Sequence, residues 1–576
     1  MIKRPNVVLV ITDDQGYGEL GCNGNPYIKT PNIDRFSGEA AVFDDFHVAP
    51  LCAPTRGALL TGNRPLRNGV WATCWGRSIL HADEVTLAEL FRDSGYATGM
   101  FGKWHLGDNY PYRPQDRGFQ YVVAHKGGGV GQTPDFWGNN YFDDTYFKNG
   151  EPVDYRGYCT DVWFNEASKF IHEHKQEPFF AYISTNAPHA PFLVEERYSR
   201  LYRDEPEIVE PDFYGMITNI DENFGRLYRQ LDEEGILDDT ILIFMTDNGS
   251  SGCGLQDDQE FIVKGYNAGM RGIKASYYDG GHRVPFMMRW KNGGFFGGRR
   301  IRQMCLHIDV VPTLAELCHL SVPEGLLWDG QSFAEILEDE KGFEERLEFI
   351  QFHQGTEEPA VWECAVITPR WRLIRGEELY DIREDPGQHR NVAAENPQVV
   401  RELRKAHLEW WEQTEGSRKV NSPIYAGCPQ ENPVCLNAMD LDGDVAWSQV
   451  MVANVFTVTG SWCVDVRRTG HYKIEVCRWP REAAKAISQQ LTPKEKEALA
   501  PYHSLQEAVK FCPAKAYVRL QDKEYEASVQ PDLESVEFQT DICEEGIMRI
   551  EAGFINMDGK KQGAYYVYIT YLEEDS

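Results

Sequence analysis

Four short apolar runs rich in β-branched residues constrain this chain most: Asn6–Thr12 (NVVLVIT), Ala97–Phe101, Phe179–Thr185 (FFAYIST) and Ile241–Thr246 (ILIFMT). None alternates apolar with polar, so each reads as a strand buried on both faces. Helical stretches fall between them, over Thr86–Ser94, Thr160–His174 and Asp221–Glu234. The first and last are closed by Gly95 and Gly235. Strands alternating with helices predict an α/β fold, a large mixed, mostly parallel sheet flanked by helices. Sheets of this kind carry their chemistry beyond the carboxyl ends of the strands. Those ends read Asp13-Asp14, Gly102-Lys103-Trp104-His105, Asn186-Ala187-Pro188-His189 and Asp247-Asn248. One polar exit is ordinary loop; four together predict one shared site.

The pattern changes near Tyr425–Asp444, a Pro-, Cys- and Asn-rich connection. Beyond it come Val452–Thr459, His471–Cys477, Ala516–Leu520, Tyr525–Val529, Ser535–Thr540, Ile547–Phe554 and Ala564–Tyr571. Period-two alternation there predicts antiparallel strands with one wet face. Thr492-Pro493-Lys494-Glu495 has the form of a helix start, with a capping threonine and proline in the first turn.

The chain has 58 Lys+Arg against 89 Asp+Glu, a formal charge of −31. That sign disfavours nucleic-acid binding, which needs cations to displace counterions, and charge-driven docking on anionic lipid. The run Val7 to Ile11 is shorter than the ~7–15 residues of a signal-peptide core. No run approaches the ~20 residues of a membrane span, so no membrane insertion is expected. The chain as written reads as cytoplasmic, or as periplasmic or secreted if a leader was trimmed. Its 14 Cys contain no CxxC pair and are expected mostly as buried free thiols.

The most informative stretch is Leu51-Cys52-Ala53-Pro54-Thr55-Arg56-Gly57-Ala58-Leu59-Leu60-Thr61-Gly62. Cys-x-Pro-x-Arg followed by Leu-Thr-Gly resembles the maturation signature of the type I, formylglycine-dependent, arylsulfatase-like sulfatases of the alkaline-phosphatase-like superfamily. In that family a formylglycine-generating maturation enzyme oxidises the cysteine to an aldehyde. The strand ending in Asp13-Asp14 resembles the family's opening metal-binding strand. Gly102–Gly107, Ala187–Pro191, Thr246–Gly249, Met270–Lys274 and Gly280–Pro285 resemble its lysine/histidine segment, histidine loop, second metal pair and lysine loop. Asp309–Leu314 and Glu378–Asp381 are similar to later landmarks, and Ile273 stands where a second glycine is common. The resemblance implies a catalytic domain over residues 1–425, with a small α+β subdomain near 345–415. Residues 430–576 remain as a β-rich accessory domain.

The resemblance also implies a site. Asp13, Asp14, Asp247 and Asn248, with an oxygen of modified Cys52, offer hard ligands suited to Ca²⁺, with Mg²⁺ as the other possibility. The hydrated aldehyde would attack sulfur, deprotonated with help from the metal and Asp247. His189 or Lys274 would protonate the leaving alcohol, and His105 would then deprotonate the second hydroxyl. Lys103 and Lys274 would offset charge on the sulfuryl oxygens, and Arg56 would hold the modified residue. His282, His81 and His125 carry weaker signals.

The expected activity is hydrolysis of a sulfate ester, on a small molecule or an oligosaccharide. Trp71, Trp75, Arg77, Trp104 and Trp137, with the flexible segment Lys126–Gly131, lie in or near loops: either these loops read a sulfated sugar or most of the tryptophans are packing residues. The alternatives are a phosphomonoester or phosphonate monoester hydrolase of the same superfamily, and a catalytically silent glycan-binding protein. The two lysines, in place of a second metal-ligand group, favour sulfate.

Overall fold

The computed structural model describes residues 4–339, 346–502, 505–506 and 509–573. Its largest sheet has ten strands. Five of them form a parallel centre in the spatial order Thr240–Thr246, Asn6–Thr12, Phe179–Ser184, Ala97–Lys103 and Tyr121–His125. Antiparallel partners flank this centre: Phe286–Arg289 on one side and Thr145–Lys148 on the other. The sheet is mixed and mostly parallel, as the alternation of strands and helices required.

The first strand is buried at all seven positions because helices cover both of its faces. Val7, Leu9 and Ile11 pack into one core, and Val8 and Val10 into the other. The helix Cys159–His174 covers the second face beside Pro211–Glu233. The latter starts ten residues before the expected Asp221. Pro211 occupies its first turn, and a stripe through Phe213, Ile217, Ile220, Phe224, Leu227 and Leu231 carries the helical period upstream.

A four-stranded antiparallel sheet, Glu348–Gln351, Cys364–Ile367, Trp371–Ile374 and Glu378–Asp381, carries the helix Pro397–Gln413. Its other face packs on Ala58, Tyr277 and Ile308 of the main body.

The C-terminal region is a sandwich of two sheets over one core that includes Trp462, Ile474, Val476, Val518, Ile550, Phe554 and Val567. One expectation is corrected here. Val452–Thr459 is not a strand: Ser448 caps a short helix, Gln449–Ala453, and the strand runs over Thr459–Val466. The short strand Ile424–Ala426 pairs in parallel with Val464–Val466. The start at Thr492 is a capping box, with Thr492 and Glu495 exchanging side-chain-to-backbone bonds.

All 14 cysteines are free thiols, and only Cys512 and Cys543 are exposed. Among the described residues no helix is long and apolar enough to cross a membrane.

Candidate active site

The exits of the parallel strands converge. Thr12 pairs with Thr246, so Asp13-Asp14 and Asp247-Asn248 leave the sheet side by side. Gly102 pairs with Ser184 one strand further on. Gly102 is obligatory there: its φ is +109°, and an added Cβ would fall 2.0 Å from the Ser184 carbonyl oxygen. Two site residues, Asp14 (φ 64°) and His105 (φ 60°), sit in the left-handed region immediately past their strands. That conformation is uncommon for side-chain-bearing residues and turns both chains sharply at the site.

Cys52 opens the helix Cys52–Thr61 and is 2 % exposed. Burial pushes its thiol above the usual range, although Lys103 and Lys274 pull the other way. Its Sγ lies 3.5 Å from His105 Nδ1. His105 Nε2 donates to the Thr73 carbonyl at 2.9 Å, which leaves Nδ1 as an acceptor facing Cys52. Burial, then Lys103, hold His105 far below the usual histidine range, so the ring is neutral and can accept a proton.

Three cations face three carboxylates in the buried floor. Lys103 Nζ reaches Asp13 Oδ2 at 2.7 Å. Lys274 Nζ reaches Asp14 Oδ2 at 2.7 Å. Arg56 grips Asp247 Oδ2 through Nε at 3.0 Å and Nη2 at 2.7 Å. Arg56 also donates to Ser184 Oγ and the Lys103 carbonyl. Its fork is therefore directed at Asp247.

Despite this pairing, burial and the charge of Asp13 push Asp247 up to about 7. Burial raises Asp14 too, but Lys274, His189 and Lys103 overcome it and hold Asp14 well below the carboxylate range. A bound cation would draw Asp247 down as well.

Two buried oxygens, Asp13 Oδ1 and Asn248 Oδ1, have no hydrogen-bond partner. The Asn248 amide donates to Asp14 Oδ1 at 2.9 Å and to the Gly249 carbonyl, which turns its oxygen inward. Ligand atoms of Asp13, Cys52 and Asp247 lie within 4.8 Å of one another. Orphaned oxygens are costly when buried, and hard oxygen donors fit a divalent cation of the Ca²⁺/Mg²⁺ type.

His189 is partly exposed at the rim. Its Nδ1 donates to the Ala190 carbonyl at 2.6 Å, and its Nε2 lies 3.6 Å from Asp14 Oδ2. Burial lowers its pKa to about 4, against the pull of Asp14. Lys274 is raised by Asp14 after burial is offset, so its ammonium holds its proton more firmly than His189 would.

The other expected residues separate from this set. Trp71, Trp104 and Trp137 are 1 %, 2 % and 8 % exposed and are packing residues rather than sugar platforms. Trp104 donates to the Tyr112 carbonyl, and Trp137 packs edge-on against Trp479 of the sandwich at 5.0 Å. His282 pairs with His47 at 2.9 Å below the subdomain. His125 sits beside Lys103 in the sheet, and His81 approaches the Val420 carbonyl. Sequence reasoning missed Ser184 and Thr73. Ser184 was readable as a polar residue ending a buried strand; Thr73 acts through its carbonyl and leaves no residue signal.

Comparison with known proteins agrees with this geometry. The Sulfatase family profile matches residues 5–320, and the N-sulphoglucosamine sulphohydrolase C-terminal profile matches 273–413. The N-acetylgalactosamine-6-O-sulfatase of Bacteroides thetaiotaomicron is 28% identical over 493 residues, covering 70% of this chain and 92% of that protein. Human arylsulfatase A is 27% identical, covering 70% of this chain and 87% of that one. The crystal structure of Ps i-CgsB superposes with a TM-score of 0.64 at 25% identity, covering 72% of this chain and 94% of that one. A Cys-x-Pro-x-Arg helix start, a buried Asp13/Cys52/Asp247 group that could hold a metal ion, and a profile match over more than half of the sequence lead to one assignment: this chain belongs to the sulfatase family, enzymes that hydrolyse sulfate esters.

Proposed function

We propose that this protein releases sulfate from a sulfated carbohydrate, with formylglycine formed from Cys52 and Ca²⁺ held by Asp13, Asp14, Asp247 and Asn248. Formylglycine, once formed by a maturation enzyme, supplies the nucleophilic hydroxyl that a thiol cannot offer to sulfur and then regenerate. The cation supplies Lewis-acid charge beside it.

The chain's own residues do the rest. Lys103 and Lys274 sit in the same buried floor, where charge stabilises developing negative oxygen best. His105 Nδ1 receives a proton from residue 52. His189 Nε2, open to the rim, gives one to the leaving alcohol, because an anionic ester beside the ring favours its protonated form. Arg56 orients Asp247. Relatives named N-acetylgalactosamine-6-O-sulfatase and ulvan-active sulfatase support a sugar substrate.

The observation that carries this reading is the placement of Cys52 at a helix start, 3.5 Å from a neutral His105 and grouped with Asp13 and Asp247. Peptide mass spectrometry across Cys52, on protein from its native host, should show the thiol-to-aldehyde conversion. The same preparation should release sulfate from a panel of sulfated mono- and oligosaccharides. An unmodified cysteine in active protein would remove the nucleophile from the scheme. Turnover of aryl sulfates alone would remove the sugar.

A further inference from the structure

Residues 414–576 lie beyond both family profiles, yet the sandwich reaches the site. His105 is held between two loops. One is the turn around Thr73, whose carbonyl accepts from Nε2. The other is the glycine loop 127–131: an added Cβ on Gly128 would fall 2.3 Å from His105 Cε1. A loop this rich in glycine has little side-chain packing and much backbone freedom, so it needs an outside anchor to hold one shape.

The sandwich grips both loops. The Met439 carbonyl accepts from the amide of Trp75 at 2.9 Å. On the other side Gln449 is the anchor, with its side chain fully buried. Its backbone amide donates to the Gly131 carbonyl at 3.2 Å. Its side-chain amide nitrogen lies 3.3, 3.1 and 3.0 Å from the carbonyls of Gln132, Asp135 and Phe136. Its Oε1 accepts from the amide of Gly138 at 2.9 Å. Gln132 passes the constraint on, since its Oε1 accepts from the amide of Gly128 at 2.7 Å. Thr133 adds bonds to the Trp447 and Ala446 carbonyls, and Tyr566 donates to the Thr133 carbonyl.

We infer that the C-terminal sandwich is a working part of the active site, and that Gln449 is a positioning residue that fixes His105 against residue 52 through the glycine loop. This rests on the role given to His105 above. Displacing a catalytic group by about an ångström costs on the order of 10²-fold in rate. A residue bonded to the covering loop all the way from Gly131 to Gly138 controls a displacement of that size.

The test uses the full chain, matured at Cys52, with kcat divided by the fraction of residue 52 found converted. Gln449→Met keeps the length but loses every side-chain bond, and Gln449→Glu keeps the acceptor but loses the donors. Both should lower kcat by roughly 10²-fold. The control Val518→Ala, elsewhere in the sandwich core, should lower Tm and leave kcat per converted site unchanged.

In a His105→Ala background, Gln449→Met should change kcat by less than about 2-fold, since its effect is routed through the missing ring. Gly128→Ala tests the same route from the loop and avoids any folding defect of the sandwich. It should be harmful while the His105 ring is present and harmless in the His105→Ala protein, where the ring it would strike is gone. Unchanged kcat in Gln449→Met, or an equal loss in both backgrounds, would overturn the inference. Full activity in His105→Ala alone would instead overturn the role of His105.

Discussion

The backbone amide of Asp14 donates to Asp247 Oδ1 across 3.0 Å, tying together two strand exits separated by more than two hundred residues. The other oxygen of Asp247 belongs to Arg56. One carboxylate therefore joins three chain segments, and Arg56 is the only part of that joint whose charge can be removed without touching a cation ligand. Arg56→Met should leave Asp247 buried without its guanidinium and cost about 3–5 kcal/mol, as broken buried pairs do. Chemical denaturation of the metal-loaded protein measures this, and a stability equal to that of the parent would show that the pair is not needed.

His189 should matter in proportion to how badly the alcohol leaves. For sugar sulfates, His189→Ala is expected to lower kcat by about 10²–10⁴-fold, the usual worth of a general acid. For an aryl sulfate with an acidic phenol the loss should be far smaller. Equal losses across a series of leaving groups would place its contribution elsewhere.

Chelation should both stop turnover and lower Tm, because the buried oxygens of Asp13 and Asn248 are then left without a partner. At a free ion concentration of 100 times its Kd, the stabilisation regained is about 2.7 kcal/mol. Restoring Ca²⁺ or Mg²⁺ separately and following Tm ranks the two ions, with Ca²⁺ expected to raise it more at equal concentration.

His307 gives a pH effect away from the site. It is buried, its Nδ1 donates to the His47 carbonyl at 3.2 Å, and burial lowers its pKa to about 3. The unfolded chain takes up a proton here near pH 6.5, whereas the folded chain does so only near its lowered value. Between those limits the unfolded state binds more protons, so this contribution to stability is present above pH 6.5 and falls as the pH drops. His307→Gln should therefore make stability less pH-dependent between pH 6 and 4, by up to about 1.4 kcal/mol per pH unit. Identical slopes in the two proteins would exclude this role.

The strand exits were legible because ionisable residues follow within four positions of each short apolar run, and a short run of that kind is buried on both faces only inside a covered sheet. The tryptophans were not. An indole in a glycine-rich loop gives the same pattern whether it faces a sugar or fills a core, and Trp71 and Trp104 fill cores. The second anchor of His105 was hidden for another reason: Thr73, Gln132 and Gln449 act largely through or upon backbone groups, which every residue type carries. Val452–Thr459 departs from its expected strand because a short apolar run fits a capped helical turn as well.

The pairing of Thr12 with Thr246, and of Gly102 with Ser184, makes the sheet an assembly jig as well as a scaffold. Side chains alternate along a strand, so a slip of one residue in Asn6–Thr12 would turn Asp13 away from Asp247 and carry Val7, Leu9 and Ile11 into the opposite core. Correct hydrophobic packing and a correct ligand set are thus the same event. A chain that has solved its folding problem has also built its cation site, and a misregistered sheet cannot survive as a stable protein that merely lacks activity.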